Sequence, residues 1–183
     1  MTYGRTAQTK FTEMRTQLSG LVTDVVAVRY FGPNSVTFKV QSGQLAAQFA
    51  NALWADMGAM AASVTASTSN IAASLGGAPI TIQIDGEPIT PDAPTVVDYV
   101  DVDTAALEAL IPVVEGRFTG LREGLAAHQT ALNGTDWQGT AKETAVEAVA
   151  TYTTSATGRC DNAQEQITTF IRNQINAAVT ADH

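Results

Sequence analysis

Cysteine is almost absent from this chain: Cys160 is the only one among 183 residues. A single cysteine cannot form an intrachain disulfide, so the fold does not depend on the redox state of its compartment. The sequence also lacks an uninterrupted run of about 18 apolar residues, which a transmembrane helix requires. No apolar stretch follows the polar first residues, so we predict no cleavable signal peptide.

Basic residues and aromatic residues are also few. Ten Lys and Arg stand against 18 Asp and Glu, which gives a formal net charge of −8. Such a chain lacks the general phosphate-neutralising surface of a nucleic-acid-binding protein, so we predict no nucleic-acid partner. Aromatics make up 7%, and much of the 45% hydrophobic content is alanine. Because alanine favours helices and buries little area, this composition indicates long, closely packed helices rather than a large β-sandwich.

Apolar residues recur at three- and four-residue steps in four segments, a pattern typical of amphipathic helices. The segments run approximately over residues 11–28, 45–75, 107–132 and 141–175. The sequence therefore predicts an all-α fold, a four-helix bundle made of two antiparallel helical hairpins. The first hairpin occupies residues 1–77 and the second residues 103–183.

Residues 78–102 separate the two hairpins, and here apolar and polar residues alternate around Asp85-Gly86. Alternation around Asp-Gly predicts a small β-hairpin insert. Three prolines confine its strands to edge positions, so we expect the insert to be dispensable for folding. Residues 1–77 carry a net charge of +2 and residues 104–183 a net charge of −4. These opposite charges favour pairing of the two halves within one chain.

The turn of the second hairpin carries Trp137 and Gly139. Asn133-Gly134 is suited to ending the third helix, and residues 140–143 form a capping box that opens the fourth. A glycine lets the chain turn without a Cβ clash, and a tryptophan contributes a large amphipathic surface. Trp137 therefore either plugs the end of the bundle or projects from it for recognition.

Residues 132–145 around this turn resemble the W-x-G turn of the ESAT-like WXG family, small helical substrates of type VII secretion systems. Residues 100–107 are similar to the first-helix start common in actinobacterial members. The resemblance covers about 80 residues, close to one whole family hairpin. It implies that Trp137 and Gly139 belong to a partner-binding turn.

The first half resembles a degenerate copy of the same hairpin. Its turn is similar to the F-x-G-P variant of some relatives, with Phe31-Gly32 in place of Trp-x-Gly. Phe31 and Gly32 are therefore candidate partner-binding residues as well. An alternative stays open, because Val36, Phe38 and Val40 alternate with polar residues. In that case the turn is a local β-hairpin and the second helix starts only near Ser42.

The export signal of the family is often Tyr-x-x-x-Asp/Glu after a hairpin. The match in this chain is Tyr99 with Asp103, which lies between the two hairpins rather than on a C-terminal tail. We take this pair as the candidate secretion signal.

Residues that could carry chemistry occur singly. His128 lies near a helix end, where the helix dipole favours a cation, and with His183 alone it forms no metal set. Glu143 and Glu147 are one turn apart and are interpreted as a solvated face. Cys160 lies near a buried stripe, away from any histidine in the sequence. We therefore predict no enzyme activity, no metal and no cofactor.

The resemblance implies a non-enzymatic protein that acts through protein–protein contacts as a type VII secretion substrate or a chaperone-like partner. Its partner would be a secretion ATPase, a WXG-family protein, or its own second half. The protein would be cytoplasmic before export and then secreted or held at the cell surface by a signal-peptide-independent route. Two alternatives remain: a structural assembly protein of a virion or conjugation apparatus, and a membrane-active pore-forming factor.

Overall fold

The computed structural model describes residues 2–75, 81–137 and 139–181. Within these residues the secondary structure consists of four long helices. They are α1 (Thr2–Ala27), α2 (Ser35–Leu75), α3 (Ala105–Asn133) and α4 (Thr140–Ala181). The predicted all-α, four-helix architecture is confirmed for the part of the chain that the structure describes.

The helices pack as a square in which α1 contacts α2 and α3, and α4 contacts the same two helices. Neighbours are antiparallel across the two hairpins. Tyr3 at the start of α1 meets His128 near the end of α3, and Phe38 near the start of α2 stacks on Phe170 near the end of α4. Both hairpins therefore contribute to one bundle, with α1 against α3 and α2 against α4.

The core runs along the whole bundle and is built from the predicted apolar stripes. Its centre is filled across the diagonal, where the Phe49 ring of α2 lies 5.2 Å from the Phe118 ring of α3. The largest fully buried side chains come from all helices except α4: Phe11, Met14, Leu18, Leu21, Phe38, Leu53, Met57, Leu107, Phe118, Leu121, Leu125 and Leu132. Helix α4 adds the fully buried Ile167 and Ile171 and several smaller buried residues.

The segment between the hairpins differs from its prediction. Residues 81–101, called the strap here, are extended, and the described part contains no β-hairpin. Its one β-bridge joins Phe31 to Asp101. The strap returns along the groove between α1 and α2, from Gln8 at its start to Phe31 at its end. Alternation arises here because one side of an extended chain faces a helical groove, not because two strands pair. Ile80 lies outside the described residues.

The start of α2 also differs from the alternative kept open for Val36, Phe38 and Val40. The helix begins at Ser35, whose backbone N–H and hydroxyl both donate to the Gly32 carbonyl, and not near Ser42. Val36 and Val40 are one helical turn apart and exposed, while Phe38 is buried on the other side. The spacing of these three residues therefore fits a helix with 3.6 residues per turn, although their alternation with polar residues also suggested a strand.

Helix α3 carries three glycines at four-residue spacing, and two of them allow α1 to approach closely. A Cβ added at Gly124 would lie 2.8 Å from Met14 Cγ, and one at Gly120 would lie 3.0 Å from Gln17 Nε2. A Cβ at Gly116 would meet nothing within 4 Å. Gly124 therefore has a close neighbour in the buried Met14, Gly120 meets only the flexible end of Gln17, and Gly116 has open space.

We expect Gly116→Ala to raise stability and Gly124→Ala to leave it unchanged or lower it. Both gain about 1 kcal/mol of helix propensity, but only Gly124→Ala pushes a methyl group into the buried Met14, at a cost of about 1–3 kcal/mol. In urea denaturation, the free energy of unfolding of Gly116→Ala should exceed that of the parent protein. That of Gly124→Ala should be lower than that of Gly116→Ala by the cost of the buried methyl group. Equal effects at the two positions would contradict the close packing of α1 on α3.

Candidate functional sites at the two ends of the bundle

The structure separates the sequence candidates into two groups. Trp137 and Gly139 lie at one end, which we call the tryptophan end, beside the start of α1. Phe31-Gly32, Tyr99 and Asp103 lie at the opposite end, which we call the tyrosine end, where α3 starts. The 29 residues of α3 span the distance between the two ends, about 40 Å at 1.5 Å per residue. One partner surface therefore cannot include all the candidates at once unless the partner is long.

At the tryptophan end, the chain turns sharply into α4. Gly139 has a φ of +100°, a region that favours glycine, and its carbonyl accepts the Glu143 N–H in the first turn of α4. On the other side of the turn, the Thr135 hydroxyl donates to the Leu132 carbonyl and the Lys142 ammonium donates to the Thr135 carbonyl. The backbone on both sides of Trp137 is thus held in place. Gln138 lies outside the described residues.

The Trp137 side chain is half-buried. It is therefore neither a fully buried plug of the bundle end nor a fully projecting recognition residue. Its ring meets the buried Tyr3 ring edge-on, with centroids 5.9 Å apart and planes at 79°. It also borders a cleft of about 490 Å³. The other residues that line this cleft are Tyr3, Thr6, Thr130, Ala131, Gly134, Thr135 and Asp136. One side of the indole therefore packs on the core, and the other faces an open cleft.

Below Trp137 lies a buried polar pair that the sequence did not predict. The Tyr3 hydroxyl lies 2.7 Å from His128 Nε2, and the Phe11 ring lies 4.7 Å from the imidazole. His128 is fully buried, and burial lowers the pKa of its imidazole to about 4. Burial also raises the pKa of Tyr3. His128 is therefore neutral in the folded protein, which corrects the expectation of a helix-end cation.

We expect the free energy of unfolding to fall as the pH is lowered, because His128 binds a proton more readily in the unfolded chain. The pKa of His128 is near 6.5 in the unfolded chain and about 4 in the folded chain. The neutral imidazole therefore makes its full contribution to stability above pH 6.5. That contribution is lost as the pH falls from 6.5 towards 4, and the loss reaches about 2–3 kcal/mol at pH 4.5. Urea denaturation of the parent and of His128→Leu at pH 7.5 and 4.5 isolates this effect from the carboxylates. If both lose the same stability, the histidine is not responsible.

At the tyrosine end, the strap closes over the turn between α1 and α2. Phe31 and Asp101 exchange both backbone hydrogen bonds, at N–O distances of 2.7 and 2.5 Å. The Tyr99 ring meets the Phe31 ring edge-on, with centroids 5.5 Å apart. A cleft of about 290 Å³ lies between this turn and strap residues 95–100. The structure thus brings Phe31, Gly32 and Tyr99 together, although 67 residues separate Gly32 from Tyr99 in the sequence.

A nearly buried cation lies beneath this aromatic pair. The Lys39 ammonium is 4.1 Å from the centre of the Phe31 ring, and the side chain is almost fully buried. Burial lowers the pKa of Lys39. The cation–π contact thus places the Lys39 ammonium against the face of the Phe31 ring. No sequence pattern singled out Lys39, because a lysine on a helix is usually solvated.

The other member of the Tyr99–Asp103 pair has a structural role. One Asp103 carboxylate oxygen accepts the N–H of Ala105, the first residue of α3, at 2.9 Å. Tyr99 is 54% exposed. Both residues of the candidate signal are therefore exposed, and Asp103 in addition binds the backbone at the start of α3.

Exposed hydrophobic side chains are concentrated in the same half of the bundle. Among the described residues, all the large ones lie on the start of α2, the strap, the first turns of α3, or the last turns of α4. They are Val36, Val40, Val96, Tyr99, Val100, Val113 and Val179. The sequence does not reveal this grouping, because these residues are far apart in the chain. One local sign of this grouping was present in the sequence: Val36 and Val40 form a second apolar face at the start of α2, opposite Phe38.

The remaining chemical candidates are dispersed. In the part of the chain that the structure describes, no three His, Cys, Asp or Glu residues are grouped as metal ligands. Cys160 is buried, and burial raises the pKa of its thiol to about 11. No helix in the described ranges is long and apolar enough to cross a membrane.

Comparison of the chain with protein-family models, with curated proteins and with solved structures found no match. The resemblance to the ESAT-like family therefore rests on the residues of the turns and on the helical pattern.

Proposed function

We propose that this protein is a non-enzymatic, secreted or secretion-associated helical protein that acts through protein–protein contacts, as a type VII secretion substrate or a chaperone-like partner. The observation that carries the proposal is the grouping at the tyrosine end. There the Phe31-Gly32 turn and the exposed Tyr99 lie together, in the half of the bundle that also exposes the large hydrophobic residues.

Such a grouping favours a protein partner for a physical reason. Single exposed hydrophobics are ordinary on a soluble protein, but several in one region are typical of an interaction surface. An aromatic side chain beside a cleft supplies the large apolar anchor that dominates many interfaces. Tyr99 also keeps a hydroxyl for a hydrogen bond, so it suits a surface that is wet in one state and buried in another.

The charge around the tyrosine end indicates the chemistry of the partner. Asp92, Asp98 and Asp101 of the strap, and Asp103 two residues after it, are close in the sequence to Val96, Tyr99 and Val100. Arg29 is the partner of Asp101, with the two charged groups 3.7 Å apart. An apolar surface with acidic neighbours is complementary to an amphipathic segment that carries Lys or Arg around its apolar residues. The docking segment of the secretion ATPase or WXG-family partner would therefore be basic.

The tryptophan end supplies a second, separate contact in this proposal. Trp137 borders the 490 Å³ cleft while its ring also packs on Tyr3. A partner side chain that enters the cleft would cover the open side of the indole. The two ends would then act in different steps or on different partners.

The test compares Tyr99→Ala with Tyr99→Phe in a bacterium that has a type VII secretion system. We expect Tyr99→Ala to reduce export at least ten-fold, because it removes the exposed ring, and to leave the free energy of unfolding within about 1 kcal/mol of the parent. Tyr99→Phe keeps the ring and should be exported. A strain without the secretion ATPase provides the baseline.

Trp137→Ala extends the test to the other end. Because the indole is half-buried, we expect part of the ~3–5 kcal/mol that a fully buried tryptophan would cost, together with reduced export. Export of both alanine variants at the parent level would contradict the proposal. Full retention of the parent protein in the cell would contradict it as well.

The exposed hydrophobics also favour one other function, a structural assembly protein of a virion or conjugation apparatus. In that case copies of the chain would associate through this half of the bundle. Light scattering distinguishes the two, because an assembly protein forms oligomers by itself and an export substrate needs its partner. A membrane-active role is less favoured, since the acidic residues beside Tyr99 would be repelled by an anionic lipid surface.

A further inference from the structure

Two side-chain amides in the groove between α1 and α2 bind the backbone of the strap. Gln8 of α1 donates from Nε2 to the Gln83 carbonyl at 3.1 Å, and its Oε1 accepts the Gln83 N–H at 2.9 Å. Asn51 of α2 donates to the Ile89 carbonyl at 2.9 Å and accepts the Ile89 N–H at 2.8 Å. Each amide thus makes the paired hydrogen bonds that a neighbouring β-strand would make.

The groove also binds apolar side chains of the strap near these two amides. Ile82 and Ile89 are buried in the groove, and Ile84 is half-buried. One glycine of α2 makes room for the strap, since a Cβ at Gly43 would lie 3.0 Å from Pro91 Cβ. Gly58 lies beside Ile84, where a Cβ would make an ordinary contact of 3.8 Å with Ile84 Cγ2. The groove therefore has places for apolar side chains at defined intervals along an extended chain.

A third contact binds the middle of the strap, around Gly86. Gly86 has a φ of +138°, and Arg15 donates from Nη2 to the neighbouring Glu87 carbonyl. The Arg15 guanidinium also lies over the Trp54 ring, 4.9 Å from its centre, and against Gly86. The side chain is therefore fixed between an aromatic ring and the backbone of the strap.

We propose that the groove between α1 and α2 is a peptide-binding site, which the strap occupies in cis. Its ligand is an extended segment of another polypeptide with the pattern of the strap: isoleucine, any residue, isoleucine, an acidic residue, glycine, and a further isoleucine three residues after the glycine. Hydrogen bonds from helix side chains to the backbone supply affinity, and the isoleucine positions supply selectivity.

The covalent link keeps the groove filled in the parent protein. A tethered segment has an effective concentration in the millimolar range, so a free peptide competes poorly until the strap is weakened. Release of the strap would leave Gln8 and Asn51 without their partners, which favours replacement by a second extended chain.

The binding test uses the full chain and a labelled peptide with the sequence of residues 81–91. In the Ile82→Ser/Ile89→Ser variant the strap is weakened, and fluorescence anisotropy should show saturable binding at least ten-fold tighter than to the parent. Adding Asn51→Leu should weaken that binding at least ten-fold. Adding Gln48→Leu, a matched change of an exposed amide on α2, should leave it unchanged. Absence of peptide binding to a strap-weakened variant that keeps its helical circular dichroism overturns the proposal.

Hydrogen exchange of the unmodified protein gives a second measurement that does not depend on any variant. The Gln83 and Ile89 amides should be protected together and should exchange at least ten-fold faster than the slowest amides of the helical core, since the strap opens before the bundle unfolds. Exchange of the strap amides only at the rate of the slowest core amides would show that the strap cannot leave the groove, and would overturn the proposal.

Discussion

Replacement of residues 81–91 with a Gly/Ser chain of equal length is expected to lower the free energy of unfolding by at least about 4 kcal/mol. Ile82 and Ile89 each bury a large apolar side chain, worth roughly 2 kcal/mol apiece. Gln8, Arg15 and Asn51 add hydrogen bonds to the strap backbone, which a Gly/Ser chain would keep only if it stayed in the groove. This reverses the sequence-based expectation that the insert is dispensable.

The control for this replacement is the neighbouring part of the strap. Residues 92–98 are mostly exposed, so an equivalent Gly/Ser replacement there should change stability by less than about 1 kcal/mol. Urea denaturation of both proteins measures the difference. Equal stability of the 81–91 replacement and the parent would mean that the groove contacts do not contribute to the folded state.

Separation of the two hairpins is expected to abolish cooperative folding of each. In a chain of residues 1–102 the core-facing side of α1, with Phe11 and Leu18, would lose the cover that α3 provides. In a chain of residues 103–183 the same happens to Phe118, which meets Phe49 across the bundle. Each piece should show weak helical circular dichroism and no sharp thermal transition. Mixing should restore both, because the apolar faces are complementary.

Two substitutions in the second piece sharpen the result. Phe118→Ala should weaken the reconstituted complex by about 3–5 kcal/mol, since it removes a fully buried ring at the centre of the core. Val113→Ala, a change on the exposed side of the same helix, should have an effect below about 0.5 kcal/mol. A cooperative, monomeric transition of residues 103–183 alone would show that the second hairpin is an independent domain.

The candidate sites were only partly visible in the sequence. Trp137 and Gly139 are adjacent to a helix start and a helix end, so local signals were enough to place them in a turn, and the positive φ of Gly139 agrees with the residue type. The contact of Tyr99 with Phe31 joins residues from two different connections. No local pattern encodes that contact. The burial of His128 likewise depends on Tyr3 and Phe11 from another helix.

The sequence by itself determined the helices and their pairing into hairpins. Apolar residues at helical spacing specify which side of each segment avoids water, and that information is local. The period is also why Val36 and Val40 belong to a helix despite their alternation with Phe38. The nearest-neighbour arrangement of α1 on α3 and α2 on α4 was decided at the tertiary level, through contacts such as Gly124 against Met14.

Only the tertiary structure decided the conformation of residues 81–101. Alternating apolar residues show that one side of an extended segment is buried, but not whether its cover is a second strand or a helical groove. Gln8 and Asn51 settle this, because their amides satisfy the strap backbone where a neighbouring strand otherwise would. These residues lie 75 and 38 positions away from their partners, so the sequence pattern of the strap carries no trace of them.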